Sequence, residues 1–224
     1  MSSSIARNIV ELRQLLATKF PGVRMSADPR ESISKRWVTG IERIDYFLEG
    51  GLPKGAITEV VSSGIASGAS TFLASLVERA RKNGEWLALV DATDSFDPGN
   101  LDNDALSRLL WVRCTNPKDA VKATDMLLHD GTLSLIVLDL LFSPAKEIRR
   151  IPSSTWFRLQ RILDNATTAL VVLAAEHMIS NVAARLILEK RFSLESLDHS
   201  RERLVAQVAP TALAPVDQRI VKIA

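Results

Sequence analysis

Cysteine is nearly missing from this chain: Cys114 is the only one in 224 residues. An internal disulfide and a Cys-rich zinc module are therefore excluded, and a reducing cytoplasm suits the composition. His129, His177 and His199 are scattered, with no i,i+4 pair and no cysteine partner, so zinc ligation is not expected. The longest apolar runs, near Leu135–Leu141 and Ala169–Ala175, fall far short of the ~18–20 residues of a membrane helix. Met1-Ser2-Ser3-Ser4 does not open a basic-then-apolar leader, so the expectation is a cytoplasmic protein with no membrane partner. Neither sign of charge dominates: 28 basic against 26 acidic residues leave a formal +2, which neither demands nor excludes a nucleic-acid partner. With 46% hydrophobic residues, 10 Gly and 9 Pro, the chain is neither disordered nor low-complexity. No internal repeat is visible, and the length suits one compact domain or one domain with a short appendage.

Ile5, Ile9, Leu12, Leu16 and Phe20 recur at spacings of four, three, four and four, one apolar stripe along a helix that Pro21-Gly22 ends. Arg24 to Arg36 then run polar and serine-rich, as a linker does. Residues 1–36 thus read as a helical arm and linker, and 37–224 as the core domain. The arm's stripe either folds back on its own core or lies on a neighbouring chain. In the core, short β-branched runs (Ala56–Val61, Trp86–Val90, Leu109–Val112, Leu133–Leu138, Ala169–Ala174) alternate with helical segments at Ser70–Lys82, Leu101–Arg108, Pro117–His129 and Ser153–Asn165. That alternation predicts an α/β fold with a mostly parallel sheet flanked by helices. The tail runs Ala184–Leu188, Arg203–Val208 and Arg219–Ile223 lack helix-length spacers and predict antiparallel edge strands. Trp111, Trp156 and Phe157 fall on expected core faces.

After the first core strand comes Ser62-Ser63-Gly64-Ile65-Ala66-Ser67-Gly68-Ala69-Ser70-Thr71. A strand, a small-residue loop and an amphipathic helix are the parts of a phosphate cradle, because loop N–H groups and the helix's positive end converge on one anion-sized site. Against G-x-x-x-x-G-K-[S/T], Ser63 stands at the first glycine, Gly68 at the second, Ala69 at the lysine and Ser70 at the magnesium-binding hydroxyl. Ala69 cannot supply the cation that offsets charge on the β- and γ-phosphates. A loop that only turns strand into helix fits the same residues.

The flanking strings settle the resemblance. Thr39-Gly40-Ile41-Glu42-Arg43-Ile44-Asp45, Gly50-Gly51-Leu52-Pro53-Lys54-Gly55 and Asp91-Ala92-Thr93-Asp94-Ser95-Phe96-Asp97-Pro98 resemble the core of RecA-type recombinases, over nearly the whole chain. The resemblance implies a RecA-like P-loop NTPase fold, with Leu135-Ile136-Val137-Leu138-Asp139 as its Walker B strand and Val205–Ile223 as closing strands. It also places the arm like the recombinase N-terminal helix that packs on the next subunit, and the recombinase's extra C-terminal domain is not found here. The phosphate-site residues it implies are Ser63, Gly64, Ser67, Gly68, Ala69, Ser70, Thr71 and Asp139. Thr93 stands where the family keeps the glutamate that polarises water, and Glu176 where it keeps a γ-phosphate-sensing glutamine. A hydroxyl is a poor base at neutral pH and a carboxylate repels phosphate, so no catalytic residue is expected and ATP with magnesium is disfavoured as cofactor.

The DNA-contacting loops look trimmed; Lys146, Arg149 and Arg150 remain near the first, as weak phosphate contacts or as a solvated helix end. No aromatics interleave with them, which argues against base stacking. Asp91, Asp94, Asp97, Asp102 and Asp104 lack the glycine and closing glutamate of a calcium loop and read as solvated. Ser63 and Ser70 have no His/Asp company for nucleophilic work.

A short RecA-like chain with a broken phosphate loop is most similar to the ImuA family. Those are RecA-core paralogues of the bacterial SOS response that work with ImuB, a polymerase-like partner, in translesion synthesis. The resemblance implies a non-catalytic, oligomeric adaptor that binds itself, RecA or an ImuB-like protein through Ile5, Ile9, Leu12, Leu16 and Phe20. Two rivals stand beside it. One is a divergent ATPase that recruits a lysine from elsewhere, such as Lys54 or a neighbouring chain; the other is a small DNA-binding regulator using Lys146, Arg149 and Arg150.

Overall fold

Strand-forming runs and amphipathic helices alternate along the chain as their periodicity dictates. The computed structural model describes residues 35–62, 66–189, 192–210 and 212–213. The arm stripe, Ser63, Gly64 and Arg219–Ile223 lie outside the described residues. In chain order the elements are β1 (Arg36–Trp37), α1 (Glu42–Phe47), β2 (Leu52–Pro53), β3 (Ala56–Val61), α2 (Ala69–Asn83), β4 (Leu87–Asp91), α3 (Asn103–Leu106) and β5 (Leu109–Arg113). Then follow α4 (Pro117–Asp130), β6 (Leu135–Asp139), α5 (Ala145–Ile148), α6 (Ser153–Leu163), β7 (Ala169–Ala174), β8 (Ala184–Ile187), α7 (Arg201–Gln207) and β9 (Ala212–Leu213).

The main sheet has the order β5-β4-β6-β7-β3-β8-β9, with six parallel strands and β9 antiparallel at the edge. β1 and β2 form a separate antiparallel pair. Successive side chains of the inner strands point to opposite faces, so each strand feeds two cores. On one face Val60, Leu89, Val137 and Val171 pack with Phe72, Leu76 and Val77 of α2 and with Ile44 of α1. On the other, Ile57, Val90, Ile136 and Val172 pack with Val121 and Leu128 of α4 and Trp156 and Leu159 of α6. Each fully buried aliphatic side chain contributes roughly 1.5–3 kcal/mol, which explains why these strands read as continuous apolar runs.

Two of the RecA-like strings prove to be structural devices. The Asp45 carboxylate accepts bonds from the Thr39 amide and hydroxyl, both at 2.8 Å, and from the Gly40 amide at 3.0 Å, clamping the entry to α1. Gly51 sits at φ 124°, where a Cβ would overlap the Trp37 carbonyl. Only glycine passes there.

Four expectations need correction. Arg203–Val208 is not a strand; Arg201–Gln207 is helix α7, entered from an extended Ser200 with Glu202 in its first turn. Leu204, Val205 and Val208 recur at helical rather than strand spacing, and Arg201 pairs with Glu78 of α2 at 2.9 Å. β8 joins β3 in parallel, not antiparallel, because residues 175–183 carry the chain back along β3 with Ile179 and Val182 as buried anchors. The predicted helix Leu101–Arg108 shrinks to Asn103–Leu106, after a 3-10 turn at Pro98–Asn100. Phe157 lies outward from α6, 52% exposed.

Candidate functional site

The parallel strands deliver their ends to one edge of the sheet, the place where folds of this class hold ligands. β3 leads there into the small-residue loop. Ser62, at its exit, donates its amide to the Ala174 carbonyl at 2.9 Å, and its buried hydroxyl is hydrogen-bonded to that of Ser67. Gly68 caps α2 at φ 94°, and its carbonyl accepts the Phe72 amide at 2.8 Å. Ser67, Gly68 and Ala69 are thus brought together at the start of α2. Ala69 is only 5% exposed, while Ser70 is open and Thr71 half-buried.

A segment distant in sequence closes over this loop. The Phe192 amide donates to the Ala66 carbonyl at 2.9 Å. A Cβ placed on Gly68 would lie 3.0 Å from the Phe192 ring and 3.5 Å from Val208. Phe192 belongs to no motif and Val208 only to an expected edge strand, because more than a hundred positions separate them from the loop. Arg201–Glu78 holds the same segment to α2.

Asp139 ends β6 in register with Asp91 at the end of β4. Burial, with a smaller push from the Asp91 charge, raises the Asp139 carboxyl to about 6, against the opposing Leu141 N–H donated at 2.9 Å. Asp91 is fully buried and accepts amides from Thr93 at 3.2 Å and Phe96 at 2.8 Å, so it shapes the loop that leaves β4. The Thr93 hydroxyl donates to the Ser95 hydroxyl at 3.2 Å.

Asp91 is thus the buried exception among the acids expected to be solvated; Asp94, Asp97, Asp102 and Asp104 are exposed, and each has a partner. The Arg113 guanidinium, hydrogen-bonded to Asp94 at 2.5 Å, holds that carboxyl below its ordinary range. Asp97 accepts the Gly99 amide, Asp102 caps α3 through the Ala105 amide, and Asp104 meets Arg81 at 2.6 Å.

Glu176 sits beyond β7 on the surface and faces Arg149 at 3.6 Å, both largely exposed. Surface pairs of this kind contribute at most about 1 kcal/mol. The basic cluster is divided: Arg149 and Glu176 line one cavity, whereas Arg150 lines another beside α4. Lys146 points to solvent from α5. Lys54 sits in the turn before β3, one strand length of about 17–20 Å from the loop that follows it, beyond the reach of its side chain. That removes Lys54 of the same chain as a substitute cation. Among the described residues no helix is long and apolar enough to cross a membrane.

Comparison with known proteins bears on the same elements. The RecA N-terminal domain matches residues 24–187. The chain is 35% identical over 105 residues to Protein RecA of Chlorobaculum tepidum, covering 45% of this chain and 30% of that protein. It is 36% identical over 117 residues to Protein RecA of a Caulobacter species, covering 49% and 30%. It is 32% identical over 127 residues to Protein RecA of Bifidobacterium longum, covering 54% and 31%. The chain therefore spans under a third of the length of these relatives.

Proposed function

The chain belongs to the RecA N-terminal domain family, and we propose that within it the chain is a non-catalytic adaptor of the ImuA kind, serving translesion mutagenesis in a bacterial DNA-damage response. One observation carries the reading: the start of α2 holds a buried Ala69 at the position of the phosphate-gripping lysine, and Phe192 with Val208 covers Gly68. The triphosphate and magnesium of the fold family need an open cradle and a cation there, worth several kcal/mol to the transition state. These residues fit neither requirement. Thr93, tied to Ser95, and Glu176, paired with Arg149, take up structural contacts instead of catalytic ones.

Without nucleotide chemistry, what such a core offers is a surface. The arm stripe Ile5, Ile9, Leu12, Leu16 and Phe20 supplies the contact, to a second copy, to RecA or to an ImuB-like protein. Calorimetry with magnesium-ATP on the whole chain is expected to show no saturable heat. Replacing Ile9 and Leu12 by Asp is expected to lower the mass in light scattering or abolish capture of purified RecA or ImuB-like protein. Saturable ATP binding that Gly68→Val removes would establish a nucleotide-binding paralogue instead, and unchanged mass and capture would refute the arm.

A further inference from the structure

α4 and α6 lie side by side on one face of the sheet, and the chain entering α6 closes the end of the furrow between them. The cavity so formed has a volume of about 690 Å³. Its rim carries Lys118 and Lys122 from α4, Arg150 from the turn after α5, and Arg158 from α6. Lys118 and Lys122 are four apart on one helix and so stand on the same face, where like charges repel. Against these cations the lining offers one acid, Glu147. Arg158 is engaged with Asp125 at 3.1 Å, but among the described residues no ion pair joins Lys118, Lys122 or Arg150. The floor is hydrocarbon: Val121 is 6% exposed and Ile151 half-buried.

We propose that this groove binds an acidic protein segment. Its carboxylates meet Lys118, Lys122 and Arg150, and one aliphatic or aromatic side chain rests on Val121 and Ile151. Three cations that no ion pair engages among the described residues, around an apolar floor, match that chemistry in both parts, charge at the rim and hydrocarbon at the centre. A nucleic-acid backbone would use only the charge, would find no aromatic ring for its bases, and would face Glu147. The groove shares no residue with the arm stripe, so the proposal stands apart from the arm's role.

The test is fluorescence anisotropy on the full chain with a labelled peptide of about fifteen residues, Asp and Glu surrounding a central Leu-Phe. A peptide with Ser in place of Leu-Phe and a labelled thymidine oligonucleotide of about twenty nucleotides serve as comparisons. Saturable binding of the first peptide is expected, weakened about tenfold or more by Lys118→Glu with Lys122→Glu. It is expected to fall also with Ile151→Ser and with rising salt. Both lysines are exposed, so the double variant should melt as the parent does, and Arg150→Glu provides a second charge reversal outside a helix. Equal binding by the charge-reversed variants, or by the Ser peptide, overturns the proposal. So does tight oligonucleotide binding without peptide binding. A mass that falls in the lysine variant while no peptide binds would assign the groove to a second copy of this chain, and would overturn it too.

Discussion

Arg185 and Glu59 form an ion pair within the sheet: Nε of Arg185 on β8 meets Oε2 of Glu59 on β3 at 2.5 Å, and the Glu59 side chain is fully buried. The other Glu59 oxygen accepts the amides of Met178 at 2.7 Å and Ile179 at 3.1 Å, and Arg185 donates to the Ile179 carbonyl. Every donor that meets the Glu59 carboxylate comes from Met178, Ile179 or Arg185, so the pair fixes the connection that turns β8 parallel. Arg185→Ala strands a buried carboxylate and is expected to cost roughly 3–5 kcal/mol in urea unfolding. A loss under about 1 kcal/mol would show that the network does not hold the edge strand.

Asp139 gives a pH signature. Its folded carboxyl is raised to about 6, above its unfolded value, so the folded state binds the extra proton between roughly pH 4 and 6. Stability from this group is therefore present at low pH and lost as pH rises through 6. Asp139→Asn, which can still accept the Leu141 amide, is expected to stabilise the protein by about 2–3 kcal/mol at pH 7.5. The gain should vanish near pH 4. Unfolding curves at several pH values read it directly, and a gain that grows on acidification would contradict the sign.

Gln160 stitches α6 to the start of β3. Its amide donates to the Gly55 carbonyl at 3.0 Å, and its oxygen accepts the Ile57 amide at 3.2 Å. Gln160→Ala leaves that buried strand N–H without its partner, an expected loss of about 1–3 kcal/mol. Thermal melting checks it; an unchanged midpoint would mean that water replaces the side chain.

Placing a cation at position 69, where the phosphate-binding motif has its lysine, tests the proposed reading of the loop. Ala69 is closed off at the head of α2, so Ala69→Lys overpacks the site and is expected to destabilise by about 1–3 kcal/mol. It should gain no saturable magnesium-ATP binding. Binding in the micromolar range by this single variant would mean that the Phe192 cover does not bar a nucleotide from the loop.

The sequence by itself determined the inner sheet. Ala56–Val61 and Ala169–Ala174 are strands with the bounds their apolar runs predict, and α4 begins at Pro117 because Asn116 caps it and proline suits the first helical turn. Such signals are local, written in periods of a few residues. Ala69 stands out in the same local way against the phosphate-loop motif, whereas Thr93 and Glu176 stand out only by resemblance to the family's pattern. Only the tertiary structure decided the direction of β8, the helical state of Arg201–Gln207, the cover of Phe192 and Val208 over Gly68, and the meeting of Arg150 with Lys118 and Lys122. Each depends on contacts between residues far apart in the chain, which become neighbours only once burial of both sheet faces has fixed where every element lies.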